Sequence, residues 1–189
     1  MGNLNEMVEK LRLGQKIEIE DIPKIDLYMD QVIQLFENKY GPTKRNDEEK
    51  ILTKTMINNY AKGKLLFPIK NKKYSKEHLI LISLIYQLKG ALSINDIKVT
   101  LDGINEKVVK DELDLESFYS SYLDLYNQNV DDFKEDLSVR AEEVKNEIRQ
   151  NEHDGDEKLE KVLLIASLVS ISNMYRRAAE KLIDDLIEL

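Results

Sequence analysis

Cysteine is absent from this chain, which excludes disulfides, thiolate zinc sites and a cysteine nucleophile and fits a reducing compartment. Histidine occurs only twice: His78 at the expected start of a helix, His153 in a polar stretch. Neither has a cluster of ligands on which to build a metal site. Glycine and proline are scarce, at seven and three residues, which favours helices. Long apolar runs are missing too. The most apolar stretch, VLLIASLVSIS from Val162, is about half of what a bilayer-spanning helix needs. Residues 1–20 are charged throughout and lack the apolar core of a signal peptide. A cytoplasmic protein without membrane association is expected. No glycine-rich phosphate loop is present. Neighbouring carboxylates such as Asp131–Asp132 and Glu142–Glu143 diverge by about 100° on a helix, giving a charged surface instead of an acid–base pair. No enzymatic activity and no cofactor are therefore expected.

What is present is an uneven charge. The whole chain carries −8. Residues 1–104 hold 17 Lys/Arg against 14 Asp/Glu, whereas residues 105–189 hold 11 against 22. Such asymmetry suggests two parts with different partners. Within the acidic whole, TKTMINNYAKGKLLFPIKNKKYSK (Thr53–Lys76) has seven lysines and no acidic residue.

Leu4, Met7, Val8 and Leu11 have helical spacing and predict a short N-terminal helix in an arm over residues 1–21. A connector follows, with Asp26 as the expected N-cap of a helix whose apolar face is Met29, Val32, Ile33, Phe36 and Tyr40. Gly41–Pro42 ends it. Thr53 caps the next helix, buried through Met56, Ile57 and Tyr60 and ending at Gly63. LLFPIKNKKY reads as two short extended pieces around a Lys/Asn tip, a small hairpin or wing. Ser75 caps a strongly apolar helix that Gly90 ends. Ser93, with Asp96 three residues on, caps another that is expected to stop near Leu101, before Asp102–Gly103. Then Tyr119, Tyr122, Tyr126, Val130, Phe133, Leu137, Ala141, Val144 and Ile148 step by threes and fours, a helix of roughly 45 Å. NEHDGD breaks it, and a last helix runs from about Glu157 to a stripe at Leu182, Ile183, Leu186 and Ile187. Two long helices with a short polar link predict an antiparallel hairpin.

The basic segment carries the chemistry. A helix N-terminus offers unpaired N–H groups to phosphate, and Thr53 and Thr55 add hydroxyls beside it. Asn58 and Asn59 are amides able to pair with adenine. Lys54, Lys62, Lys64, Lys70, Lys72, Lys73 and Lys76 can neutralise phosphates. Tyr60 and Tyr74 bracket the wing as packing residues whose hydroxyls could also reach the backbone. The competing reading is a solvated lysine face.

The order helix, helix, wing, helix, short capped helix resembles the DNA-binding domain of MerR-family regulators. Tyr60, Leu65–Leu66, Pro68, Tyr74–Ser75, Gly90, Ser93 and Ile97 follow that family's pattern. Residues 22–104 are also similar to the YkrK-like group of uncharacterised Firmicute proteins, through IDLYMDQV and ILTKTMINNYAK. This chain differs in having Asn58 and Asn59 where the family has an Arg-Tyr pair, in lacking arginine in the wing, and in an inter-helix loop of about ten residues. The resemblance implies an all-α fold with a small β-wing: a MerR-like winged helix-turn-helix domain at 22–104 and an acidic helical hairpin at 105–189. The implied function is a transcription regulator binding double-stranded DNA as a homodimer. Tyr119, Tyr122, Tyr126, Phe133, Leu182 and Leu186 are the candidates for dimerisation or for sensing an unspecified effector. The alternative is a protein–protein adaptor whose winged module no longer binds DNA.

Overall fold

The computed structural model describes residues 4–150 and 156–188. Wherever apolar side chains recur every three or four residues, a helix forms. These are α1 (Leu4–Leu11), α2 (Met29–Tyr40), α3 (Lys54–Lys62), α4 (Lys76–Leu88), α5 (Ile94–Val109), α6 (Leu115–Gln150) and α7 (Glu157–Ile187). Two very short strands, β1 (Leu27–Tyr28) and β2 (Lys73–Tyr74), pair antiparallel, with Leu27 opposite Tyr74 and Tyr28 opposite Lys73. The fold is thus mostly helical with one small sheet. Among the described residues, no helix is long and apolar enough to cross a membrane. His153 and most of the expected break after α6 lie outside the described residues.

The chain divides into two compact units. The larger comprises Gln15–Asp124 with Glu180–Leu189. Its axis is α4, buried from His78 to Ile85. A helix apolar on every side must be surrounded, and here the neighbours are Val32, Phe36 and Tyr40 of α2, Ile57 and Tyr60 of α3, Ile97 and Leu101 of α5, and Leu115, Tyr119 and Leu123 of α6. Phe36, Tyr40 and Tyr86 form an aromatic cluster of tilted and edge-on rings with centroids 4.3–6.2 Å apart. Tyr119, 1 % exposed, donates its hydroxyl to the Ile17 carbonyl at 2.7 Å, which ties α6 to the connector before β1. Burial of each such side chain contributes about 1.5–3 kcal/mol.

The smaller unit comprises Met1–Gly14 with Leu125–Ala179. Leu137, Ala141 and Val144 of α6 pack against Leu164 and Leu168 of α7, with Leu4, Val8 and Phe133 at the margin. Only residues 151–156 link the two helices, so they run antiparallel as a hairpin. The Tyr126 hydroxyl donates to the Leu13 carbonyl at 2.9 Å, attaching the segment after α1.

Three local expectations need correction. Asp26 is not the cap of α2. Tyr28 holds that position, and its N–H donates to Gln31 Oε1 at 2.9 Å. The helix expected to stop near Leu101 continues through Asp102 and Gly103 to Val109, so the domain boundary expected at residue 104 falls inside α5. A mid-helix glycine costs about 1 kcal/mol. Just beyond it, buried Asn105 donates Nδ2 to the carbonyls of Leu65 and Leu101, each at 3.0 Å, and ties this turn of α5 to the segment after α3. Finally, the two extended pieces of the expected wing do not pair as strands. Lys70–Lys73 form a tight turn with one isolated bridge, and β2 pairs with β1 instead.

Candidate nucleic-acid interface

Thr53 starts α3 as expected, its Oγ1 accepting the Met56 N–H at 3.1 Å. Apolar Met56, Ile57 and Tyr60 turn that helix inward. What remains outward follows from the 100° step per residue: Lys54, Thr55, Asn58, Asn59 and Lys62, all exposed, on one side. No acidic residue interrupts this face. Its edge is neutralised where Lys54 meets Asp30 of α2 at 2.7 Å.

The end of α3 is built by space. Gly63 has an ordinary right-handed backbone (φ −73°), and the left-handed residue is Lys64 (φ 58°). The Leu65 N–H reaches back to the Tyr60 carbonyl at 3.0 Å, a helix-ending bond that usually places glycine at the left-handed position. Gly63 is required for a different reason. A Cβ there would stand 2.8 Å from Leu65 Cδ1 and 3.1 Å from the Asn59 carbonyl oxygen.

The turn after it repeats the pattern. The Lys73 N–H bonds the Lys70 carbonyl at 2.9 Å, and the two residues between, Asn71 and Lys72, have φ of 52° and 58°. Positive φ at both positions is the type I′ geometry, for which Asn-Gly is preferred. Lysine occupies the glycine slot. The β1–β2 pairing holds this turn beside the start of α2, and Lys73 Nζ lies 5.2 Å from the centre of the exposed Tyr28 ring. Tyr28 was missed from the sequence, and Asn71 was read only as part of the Lys/Asn tip. Asn followed by lysine was the available sign of the turn, because Asn tolerates positive φ.

Other expected members are placed differently. Tyr60 and Tyr74 are each 3 % exposed and belong to the core, not to the exposed face, and burial raises both phenol pKa values. Lys76 is engaged with Glu116. Lys70 and Lys73 border a cavity of about 870 Å³ whose rim also carries Asp26, Glu77, Asp111, Glu112, Asp114 and Glu116. The basic set is therefore divided: an acid-free helix face, and a turn with acid on one side. Of the candidates in the second half, Tyr119 is core and stacks on Tyr122 at 5.8 Å. Tyr126 and Phe133 pack within the smaller unit, whereas Leu182 and Leu186 are exposed.

His78 supports the turn from beneath. Its Nδ1 accepts the Ser75 N–H at 3.2 Å, closing the N-terminus of α4, and its Nε2 faces the Phe67 carbonyl at 3.2 Å, the Nε2–H tautomer. Phe67 stacks on the ring at 3.9 Å. Burial lowers the imidazole pKa against the raising effects of the Phe67 carbonyl, Glu77 and Asp26.

A family model described as a domain of unknown function, DUF1836, matches residues 17–122, more than half the chain. The chain belongs to the DUF1836 family. The match nearly coincides with the main segment of the larger unit, so the DUF1836 domain contains α3, the basic turn and the sheet that holds it. No curated protein and no solved structure matches the chain.

Proposed function

We propose that this chain is a sequence-specific DNA-binding transcription regulator with a MerR-like winged module in its DUF1836 domain, acting as a cytoplasmic dimer. The observation that carries the reading is the outward side of α3: lysines, amides and a threonine with no acid among them, in a chain of net charge −8. Asn58 and Asn59 supply base-reading groups, while Lys62 supplies a phosphate contact. Lys64 and Lys72 add weight. Each stands in a left-handed conformation that costs an L-residue about 1–2 kcal/mol, a cost glycine would avoid. Retaining lysine at both points is explained if the ammonium is needed. The pairing of β2 with β1 holds the turn beside the helix that precedes α3.

The acid-rimmed cavity beside Lys70 and Lys73 favours a second reading, an adaptor that takes a basic peptide there. Selection of random duplex oligonucleotides by the purified chain, repeated across a salt series, separates the two. The regulator enriches a motif whose affinity falls steeply with salt. No enriched motif and no affinity at low salt would leave the adaptor.

A further inference from the structure

A second cavity, of about 700 Å³, lies within the larger unit between the end of α3, the segment that follows it and the last turns of α5. Its walls are apolar: Ala61, Leu66, Phe67, Pro68, Ile69 and Val109. Lys64, Glu106 and Lys110, all exposed, stand at its border. Asn105 lines it too and is 8 % exposed. Both hydrogens of its amide are committed, to the carbonyls of Leu65 and Leu101. Turned over, the amide would set its oxygen against those two carbonyl oxygens, so its orientation is fixed. Oδ1 is left covered from bulk water, and no donor among the described residues meets it. A buried acceptor in that condition is uncommon, because it gives up its bond to water and receives none in return.

We infer that this cavity binds a small aromatic carboxylate whose ring carries an O–H or N–H. Apolar walls around one fixed polar group, at this volume, are what a small-molecule site offers. Phe67 and Pro68 present flat faces, which suit a planar ring. The O–H or N–H of the ring donates to Asn105 Oδ1, meeting it by parting the half-buried wall at Phe67 and Ile69. The carboxylate lies at the border, where two lysines stand against one glutamate. Glu106 engages Lys110 only loosely, at 3.7 Å, so the ligand's carboxylate can take its place. Ala61 belongs to α3 and Ile69 leads into the Lys70–Lys73 turn, so occupancy bears on both parts of the candidate interface. The site itself needs no nucleic acid and goes beyond the DNA reading.

Amide NMR spectra of the full chain, titrated with 4-hydroxyphenylacetate and with indole-3-acetate as probes, test it. Each acid should saturably shift the Asn105 side-chain NH2 signals together with the backbone amides of Leu66, Phe67 and Val109. Capping the donor, in 4-methoxyphenylacetate and 1-methylindole-3-acetate, should weaken binding by about tenfold or more, since the acceptor then stays unmet. The uncharged 4-hydroxyphenylacetamide keeps the donor and should bind less tightly than its acid; Lys110→Glu should abolish that preference. Val109→Trp, at a position 62 % exposed, should fill the cavity and remove binding while the remaining spectrum stays in place. No saturable shift from either acid, or shifts confined to residues away from the cavity, overturns the proposal. So does equal affinity for capped and uncapped acids, or for acid and amide. Every readout is free of DNA: a chain that binds the acids but no duplex faults only the regulator, and one that binds duplex but neither acid faults only this site.

Discussion

Replacing Lys72 by glycine should make the protein more stable and worse at holding DNA. Lys72 has φ 58° in the second central position of the turn after Asn71. Releasing an L-residue from that region gains about 1–2 kcal/mol. Glycine also frees the unfolded chain, which offsets about 0.4–1 kcal/mol. The net is a stabilisation of about 0.5–1 kcal/mol. For a chain of this size, each kcal/mol moves the melting temperature by about 2–4 °C, so a rise of about 1–4 °C is expected in a circular-dichroism melt. The turn itself is kept, since Asn-Gly prefers the same geometry. One phosphate contact disappears, and the slope of log affinity against log salt should become less steep by about 0.9. Fluorescence anisotropy on a selected duplex measures it. Stabilisation without any change in slope would mean that Lys72 does not reach a phosphate. An unchanged or lower melting temperature would refute the strain argument itself.

Gly63→Ala should destabilise by about 1–3 kcal/mol in urea titration, because the new methyl meets fully buried Leu65 at 2.8 Å and the Asn59 carbonyl at 3.1 Å; an unaffected midpoint would show that the end of α3 yields easily. Joint replacement of Asn58 and Asn59 by alanine should leave stability and salt slope nearly unchanged. Discrimination among duplexes should fall by about 1–3 kcal/mol for each lost base contact; retained preference would remove these amides from readout. The His78 imidazole pKa is lowered by burial below its ordinary 6.5, so its contribution to stability is present above that value. It is lost as pH falls through the unfolded pKa toward the folded one, when the unfolded chain binds the extra proton. Protonation also removes the acceptor for the Ser75 N–H. Melting temperature should therefore drop between about pH 7 and 5, and His78→Gln should flatten that drop; an equally steep decline in the variant would acquit His78.

The helices were legible because their cores are periodic: Val32, Phe36 and Tyr40, or Leu137, Ala141 and Val144, can be buried together only on a 3.6-residue repeat. Thr53 and Ser93 could be read as caps for the same local reason. What stayed hidden depends on distant partners. Two-residue β1 has no alternation to read, and its pairing with β2 is decided by the packing of α2. Gly103 looked like a stop because the bonds Asn105 makes to Leu65 and Leu101 come from the tertiary fold. The basic segment was visible as composition. Its division into a clean α3 face and an acid-flanked turn was not, since Asp26, Glu77 and Asp111–Glu116 converge only in three dimensions. Nor was the second apolar side of α7, exposed at Val162, Ile165 and Val169, because VLLIASLV does not say which of its residues α6 covers.

The most direct test is the salt dependence of duplex binding by the full chain. The exposed lysines Lys62, Lys64, Lys70 and Lys72 would each release about 0.9 counterion, so log affinity should fall with log salt at a slope of about −3.6. A slope near zero, or no measurable affinity at low salt, would contradict DNA binding through α3 and the turn.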